Sequence, residues 1–341
     1  MTKRPSNFIT WLAYHRETIG VEHFFLRVED TEALVHYLET TAPWSTACTI
    51  SRAGATVRDW KAQSERQNAH VKDAIKSAKA MGFTHLLHID DDECLYLPSG
   101  MPALRSVISS SHGTGLVELH ALTLEALAPS LECTNPFAEC CAFRHCASDY
   151  CSYGRGEQSH GKSIAILSAP QLAPYSPHHF RGQGGETGSD PAETFLMRTH
   201  ILPPPVAVIL HFESCTYRRW RDKFTEFALR MRHDRSGVRV AATFSLFYKA
   251  SIEACMRLIG DGGKDGTAAT AAEAEKVARA VWSDSKVEPA AVSTSRPIAH
   301  ARTLGRLTLI PPIAAGVAGS AVATAERQLE QAMIQMSAMA S

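Results

Sequence analysis

The sequence carries no surplus of either charge: Lys+Arg and Asp+Glu each number 35, so the formal net charge is zero. That excludes the broad basic face on which sequence-independent nucleic-acid binding depends. No apolar run approaches the length of about 18 residues that a membrane span needs. The segment LTLIPPIAAGVAGSAVA (307–323) is apolar but short and broken by proline. The opening MTKRPSNFITWLAYHR lacks an apolar core with a cleavage site, so it does not read as a signal peptide. Cysteine is scarce and odd in number, nine in all, which argues against a disulfide-built scaffold. What remains is a chain of 341 residues, 45% hydrophobic and 21% charged, long enough to bury a full core.

The chain divides near residue 260. Before that point, apolar segments alternate with turn signals at the rhythm of an α/β protein. GDGGKDGT (260–267) then reads as a flexible linker. Beyond it the sequence is rich in Ala, Ser and Thr, with amphipathic helices at 271–282 and 325–339 and a weakly ordered stretch between them. The expected organisation is a catalytic-type domain over 1–259 and a partly helical tail over 260–341.

Within the first part, helices are expected at 8–18, 62–81, 216–232 and 243–259, the second ending at Gly82 as a C-terminal cap. Strands are expected at 23–28, 84–89, 114–122, 163–168 and 206–212.

The strand 84–89 runs directly into Asp90-Asp91-Asp92-Glu93. Four like charges after a buried apolar strand repel one another, and a hard divalent cation relieves that repulsion. Asp90 and Asp92, two apart, point the same way where a strand runs out. The carboxyl end of a strand in an open α/β sheet is also where ligands bind. Two carboxylates leave a metal with open positions for diphosphate oxygens, so the pattern predicts Lewis-acid help to a departing nucleoside diphosphate. The plainer alternative is a solvated acidic turn capping the next helix.

A rival reading comes from GEQSHGKS (156–163), which matches the P-loop pattern letter for letter. A P-loop must follow a buried strand and open a helix, so that backbone amides face phosphate. Here RHCASDYCSY precedes it and the strand-like SIAILSAP follows. The context therefore favours Lys162 as a loop lysine near phosphate over a phosphotransferase lysine.

WLAYHRETIGVEHFFL (11–26), Arg66-Gln67-Asn68 and GFTHLLHIDDDE (82–93) resemble the family 92 and related family 2 glycosyltransferases. NPF (135–137), GKSI (161–164), PHHF (177–180) and LHFESCTYRRWRDKF (210–224) extend the resemblance over roughly residues 3–235. It implies a GT-A fold: a Rossmann-like α/β sandwich with a mostly parallel central sheet that binds a nucleotide-diphosphate sugar with Mn²⁺ (or Mg²⁺). The acidic run then matches the family's Asp-x-Asp motif, with Asp90 and Asp92 at the metal and Asp91 near the ribose or the sugar. His211 resembles the histidine that completes the metal site in this fold, although a core histidine is the competing reading. Asp30 matches the nucleoside contact, and Arg66 and Gln67 match a helix facing the same pocket. Lys162 is the natural counter-charge to the diphosphate. Glu213 is the chosen base for the acceptor hydroxyl, with Glu186 and Asp190 as competitors. Trp220 is read as either an acceptor platform or core.

The implied activity is transfer of a sugar from its nucleotide diphosphate to a hydroxyl acceptor, a glycan or glycoconjugate. A non-catalytic binding module derived from such an enzyme is the other alternative. One departure stands out. The family begins with a buried strand, and Met1-Thr2-Lys3-Arg4 leaves no room for it, so a lost beginning and a lost strand both remain open. Relatives in eukaryotes work in the Golgi lumen behind an N-terminal anchor, whereas the chain as given reads as soluble. Cys133, Cys140, Cys141, Cys146 and Cys151 lack paired C-x₂-C knuckles, which favours disulfides or free thiols over zinc.

Overall fold

A computed structural model describes residues 2–3, 5–53, 60–145, 161–182, 198–233, 246–260, 271–287, 307–313 and 319–339. They group into two units. The first comprises Met1–Thr123, His160–Ile209 and Gly316–Ser341, and the second Leu124–Ser159 and Leu210–Ala315. The helix expected at 271–282 belongs to the second unit and the final helix to the first.

In the first unit, strand β1 (Thr2–Lys3) pairs in parallel with β2 (Phe24–Glu29), Thr2 opposite Val28 and Lys3 opposite Glu29. A two-residue strand thus precedes the first helix and pairs with the end of β2. Helix α1 (Phe8–Ala13) buries all six of its residues and continues as a π-helical turn over Tyr14–Ile19, closed by Gly20 at φ 78°. Helices α2 (Glu32–Thr40) and α3 (Trp44–Ala47) lead to β3 (Cys48–Ala53), which pairs in parallel with β2. Parallel neighbours need such a helical crossover.

Helix α4 (Trp60–Ala80) ends at Gly82, φ 81°. Gly82 N–H bonds to Lys79 O at 3.1 Å and Phe83 N–H to Ala78 O at 3.0 Å, the paired bonds of a Schellman cap. Its Val71, Ile75 and Ala78 pack with Val117, Ala165, Leu167 and Phe180 into a buried cluster. Leu86 of β4 (His85–Leu87) packs against the same cluster, and β5 (Glu93–Tyr96) and β6 (Glu118–Leu127) follow in the chain. Between β5 and β6 runs helix α5 (Gly100–Ser111).

The second unit takes the far half of β6, helix α6 (Pro136–Glu139) and β7 (Ala142–His145), with Leu124 opposite His145 in antiparallel register. In the first unit, β8 (Gly161–Ile166) lies antiparallel between β4 and β6, His120 opposite Ser163 and Leu87 opposite Ile164. The short β9 (Ala173–Pro174) and β10 (Phe180–Arg181) form an antiparallel pair, and β11 (Thr199–Ile201) pairs in parallel with β6. Strand β12 spans Val208–His211.

Helices α7 (Tyr217–His233), α8 (Leu246–Leu258) and α9 (Ala271–Lys286) form the helical side of the second unit. Trp220, fully buried, donates its indole N–H to Ser251 Oγ at 2.9 Å, tying α7 to α8. It is core, and its one polar atom is spent inside the unit. Trp282 of α9 donates to Ser214 O at 2.8 Å. Strand β13 (Leu307–Leu309) completes the unit against β7. Helix α10 (Ser320–Met339) packs in the first unit on α1 and α2.

The mostly parallel central sheet expected from the sequence is corrected here. Parallel pairs join β1, β2 and β3, and also β6 to β11; β4–β8, β6–β8, β6–β7 and β7–β13 are antiparallel. The larger sheet is mixed and mostly antiparallel. Strand β8 is buried along its whole length. Burial on both faces yields a continuous apolar run whichever way the neighbours point, so the run alone does not carry direction. No described helix is long and apolar enough to cross a membrane.

Candidate functional site

In the first unit the acidic run forms the turn between β4 and β5. Asp90 N–H bonds to Glu93 Oε2 at 2.8 Å, and Glu93 N–H to Asp90 O at 3.2 Å, so the turn is closed by its own ends. Helix α1 holds it from behind. The Trp11 indole donates to Glu93 O at 2.6 Å, and the Tyr14 hydroxyl to Leu95 O at 2.9 Å.

Lys162 supplies the counter-charge. Its Nζ lies 2.7 Å from Asp90 Oδ2 and 3.2 Å from Glu93 Oε2, and donates to Pro177 O at 3.2 Å. The side chain is only 1% exposed. The register of β4 with β8, extended by His88 N–H to Ser163 O at 3.3 Å, delivers Lys162 to the turn. Burial alone would lower the lysine pKa, but Asp90 and Glu93 hold it above the ordinary value. Burial likewise works against the Asp90 carboxylate, yet Lys162 keeps its pKa far below the usual range. His88 is pushed down to about 3 by burial and by Lys162, so it is neutral.

Lys162 stands within a strand that is hydrogen-bonded on both sides, and no helix opens after it. The P-loop alternative fails on that point, and its residues 156–160 lie outside the described residues. Gly161 has a separate explanation. A Cβ there would sit 2.2 Å from Ala121 O and 2.5 Å from His120 Nε2, so the close approach of β6 demands glycine.

The ends of β1 and β2 meet the same region. Thr2 Oγ1 donates to Asp91 Oδ2. Glu29, buried, accepts from Arg66 Nε at 3.0 Å and from Arg27 Nε at 3.2 Å. Arg66 Nη1 is buried without a hydrogen-bond partner. Asp30 follows Glu29, exposed and at φ 49°, and Gln67 is half-buried beside Arg66 on α4. The structure thus brings Asp90, Lys162 and Glu93 together, links Asp91 to β1, and sets Arg66 on Glu29 next to Asp30. Asp92 is buried within the turn.

His211 and Glu213 belong to the second unit. His211 Nδ1 is 2.7 Å from Glu125 Oε1, while Lys286 Nζ lies 3.5 Å from Glu125 Oε2 and 3.7 Å from Glu213 Oε2. Glu213 also accepts from Lys223 and from the Tyr248 hydroxyl. Glu125, His211 and Glu213 present ligand atoms within 4.8 Å of one another, but the two lysines already neutralise them. Burial would raise the Glu213 carboxyl, yet Lys223 and Lys286 hold it well below the carboxylate range. Glu186 and Asp190 lie outside the described residues.

Cys133, Cys140 and Cys141 are free thiols; Cys146 and Cys151 lie outside the described residues. Sequence reasoning passed over Glu118, His120 and Glu125, which interrupt the apolar strand ELHALTLEAL. Buried polar residues in such a strand are the signal that marks them. Glu118, His120 and His179, in the first unit, form the other group of three convergent ligand atoms among the described residues; the acidic turn does not form one. Comparison of the chain with protein-family models, with curated proteins and with solved structures returned no match.

Proposed function

We propose that the chain is a metal-dependent glycosyltransferase that moves a sugar from a nucleotide diphosphate to a hydroxyl acceptor. One observation supports this above the others: the Thr2–Asp91 hydrogen bond ties the acidic turn to the residue of β1 that pairs with Val28, near the carboxyl end of the parallel strand β2. That is where open parallel sheets take nucleotides. Arg66 Nη1, an orphaned buried donor next to Asp30, is a ready partner for an oxygen of the nucleoside or its phosphates.

The oxygen-only donor set of the turn suits Mn²⁺ or Mg²⁺, and Asp90 and Asp92 would hold the ion. When bound, it supplies positive charge to the leaving diphosphate. Lys162 keeps Asp90 and Glu93 ionised and takes up part of the turn's charge, so a cation would share Asp90 with its ammonium. A catalytic base is not assigned.

Titration calorimetry with UDP and GDP, with and without Mn²⁺, tests this. Metal-dependent binding of one nucleotide, lost in Asp92→Asn, is the expected result. Binding that ignores the metal, or no binding of either nucleotide, refutes it.

A further inference from the structure

Glu118 and His120 stand two apart on β6, so their side chains leave the same face of the strand. Glu118 is fully buried; Oε1 accepts from His179 Nδ1 at 2.8 Å and Thr199 Oγ1 at 3.0 Å, and Oε2 from the Phe180 amide at 2.6 Å. His120 is 1% exposed. Its Nδ1 pairs with Ser163 Oγ at 2.9 Å, whereas its Nε2 is buried with no hydrogen-bond partner. The His179 ring lies on the His120 ring, centroids 4.5 Å apart. One ligand atom from each of Glu118, His120 and His179 lies within 4.8 Å of the others.

We propose that these three residues form a binding site for a transition-metal dication of the zinc class, separate from the acidic turn. Two imidazole nitrogens and one carboxylate oxygen are the donor set that Zn²⁺ takes with a fourth position left open. It is a softer set than the four carboxylates of the turn, which suit Mn²⁺ and Mg²⁺. The hydroxyl of Ser163 on Nδ1 is the kind of outer partner that fixes a ligating histidine, and it leaves Nε2 to face the ion. Gly161 keeps clear the space next to that nitrogen, where a Cβ would come within 2.5 Å of it.

The rings are tilted by only 17°, so their in-plane lone pairs run side by side. Binding therefore turns the His179 ring off the stack. His179 is the more accessible of the two, with 12% of its side chain exposed, and is the point of entry.

The test is Zn²⁺ titration of the full chain after removal of metals by chelation, together with the visible spectrum of the Co²⁺ form. Wild type is expected to take up Zn²⁺ and to give a Co²⁺ spectrum of nitrogen and oxygen ligands. His179→Gln should weaken uptake at least tenfold, and Glu118→Gln should do the same. Asp90→Asn and His211→Gln should leave it unchanged, which separates this site from the acidic turn and from the Glu125–His211–Glu213 group. Unchanged uptake in His179→Gln, loss in His211→Gln instead, or a Co²⁺ spectrum dominated by thiolate charge transfer overturns the proposal. UDP titration of the same preparations with Mn²⁺ reads the turn independently.

Discussion

The ammonium of Lys162 sits 2.7 Å from the carboxylate of Asp90, buried beneath the acidic turn that a sequence reading would hand to a metal. One strand thus pre-neutralises part of the charge that another strand delivers.

Removing that lysine should be costly. In Lys162→Met, Asp90 and Glu93 lose their counter-charge while Glu93 stays buried. Breaking a buried pair from one side costs about 3 to 5 kcal/mol. Urea denaturation should show that loss, and adding Asp90→Asn and Glu93→Gln should recover much of it. A single variant as stable as wild type would show that the pair is not buried in solution.

Arg66 should matter for nucleotide more than for folding. Arg66→Lys keeps the positive charge beside Glu29 but loses the fork that leaves Nη1 available. UDP affinity in the presence of Mn²⁺ should fall about tenfold, roughly 1.4 kcal/mol, with the melting temperature nearly unchanged. Equal affinity would remove Arg66 from the pocket.

Gly161→Ala probes the approach of β8 to β6. The new methyl meets backbone at Ala121 O, which cannot step aside as a side chain can. Overpacking of this kind costs about 1 to 3 kcal/mol, measurable by thermal melting. Pairing it with His120→Ala should relieve only the side-chain part of the clash.

The docking of α10 should depend on pH. Glu326 Oε1 accepts from the Thr10 amide at 2.6 Å, and burial raises its pKa from 4.5 to about 7. A carboxyl raised on folding binds its proton more tightly in the native state. The stabilisation is complete below about 4.5 and drains away as pH rises towards 7. Hydrogen exchange of α10 amides, corrected for intrinsic rates, should therefore quicken across that window. In Glu326→Gln the dependence should vanish.

Ser251→Ala leaves the Trp220 indole N–H buried without its acceptor. The expected loss is about 1 to 3 kcal/mol, read by denaturation. A neutral result would mean that water replaces the serine.

The parts legible in the sequence are those set by near neighbours. The amphipathic period of α7 and the glycine cap of α4 announce themselves within a few residues, and the acidic turn needs only its own four letters and the strand before it. The GKS of β8 was misleading for the opposite reason. Its glycine answers to His120, 41 residues upstream and visible only once β6 and β8 are paired. The partners of Glu213 are of the same kind: Tyr248 and Lys286 lie far along the chain, and no spacing rule brings them together. The direction of the strands was hidden because apolar burial has no arrow.

The hydrogen bond from the Trp11 indole to Glu93 O makes α1 an optical reporter on the turn. An indole buried against that carbonyl changes emission when the carbonyl moves or when charge arrives beside it. Replacing the other four of the five tryptophans with phenylalanine would leave one fluorophore whose signal belongs to the acidic turn. Occupancy there becomes readable by light, with no labelled ligand.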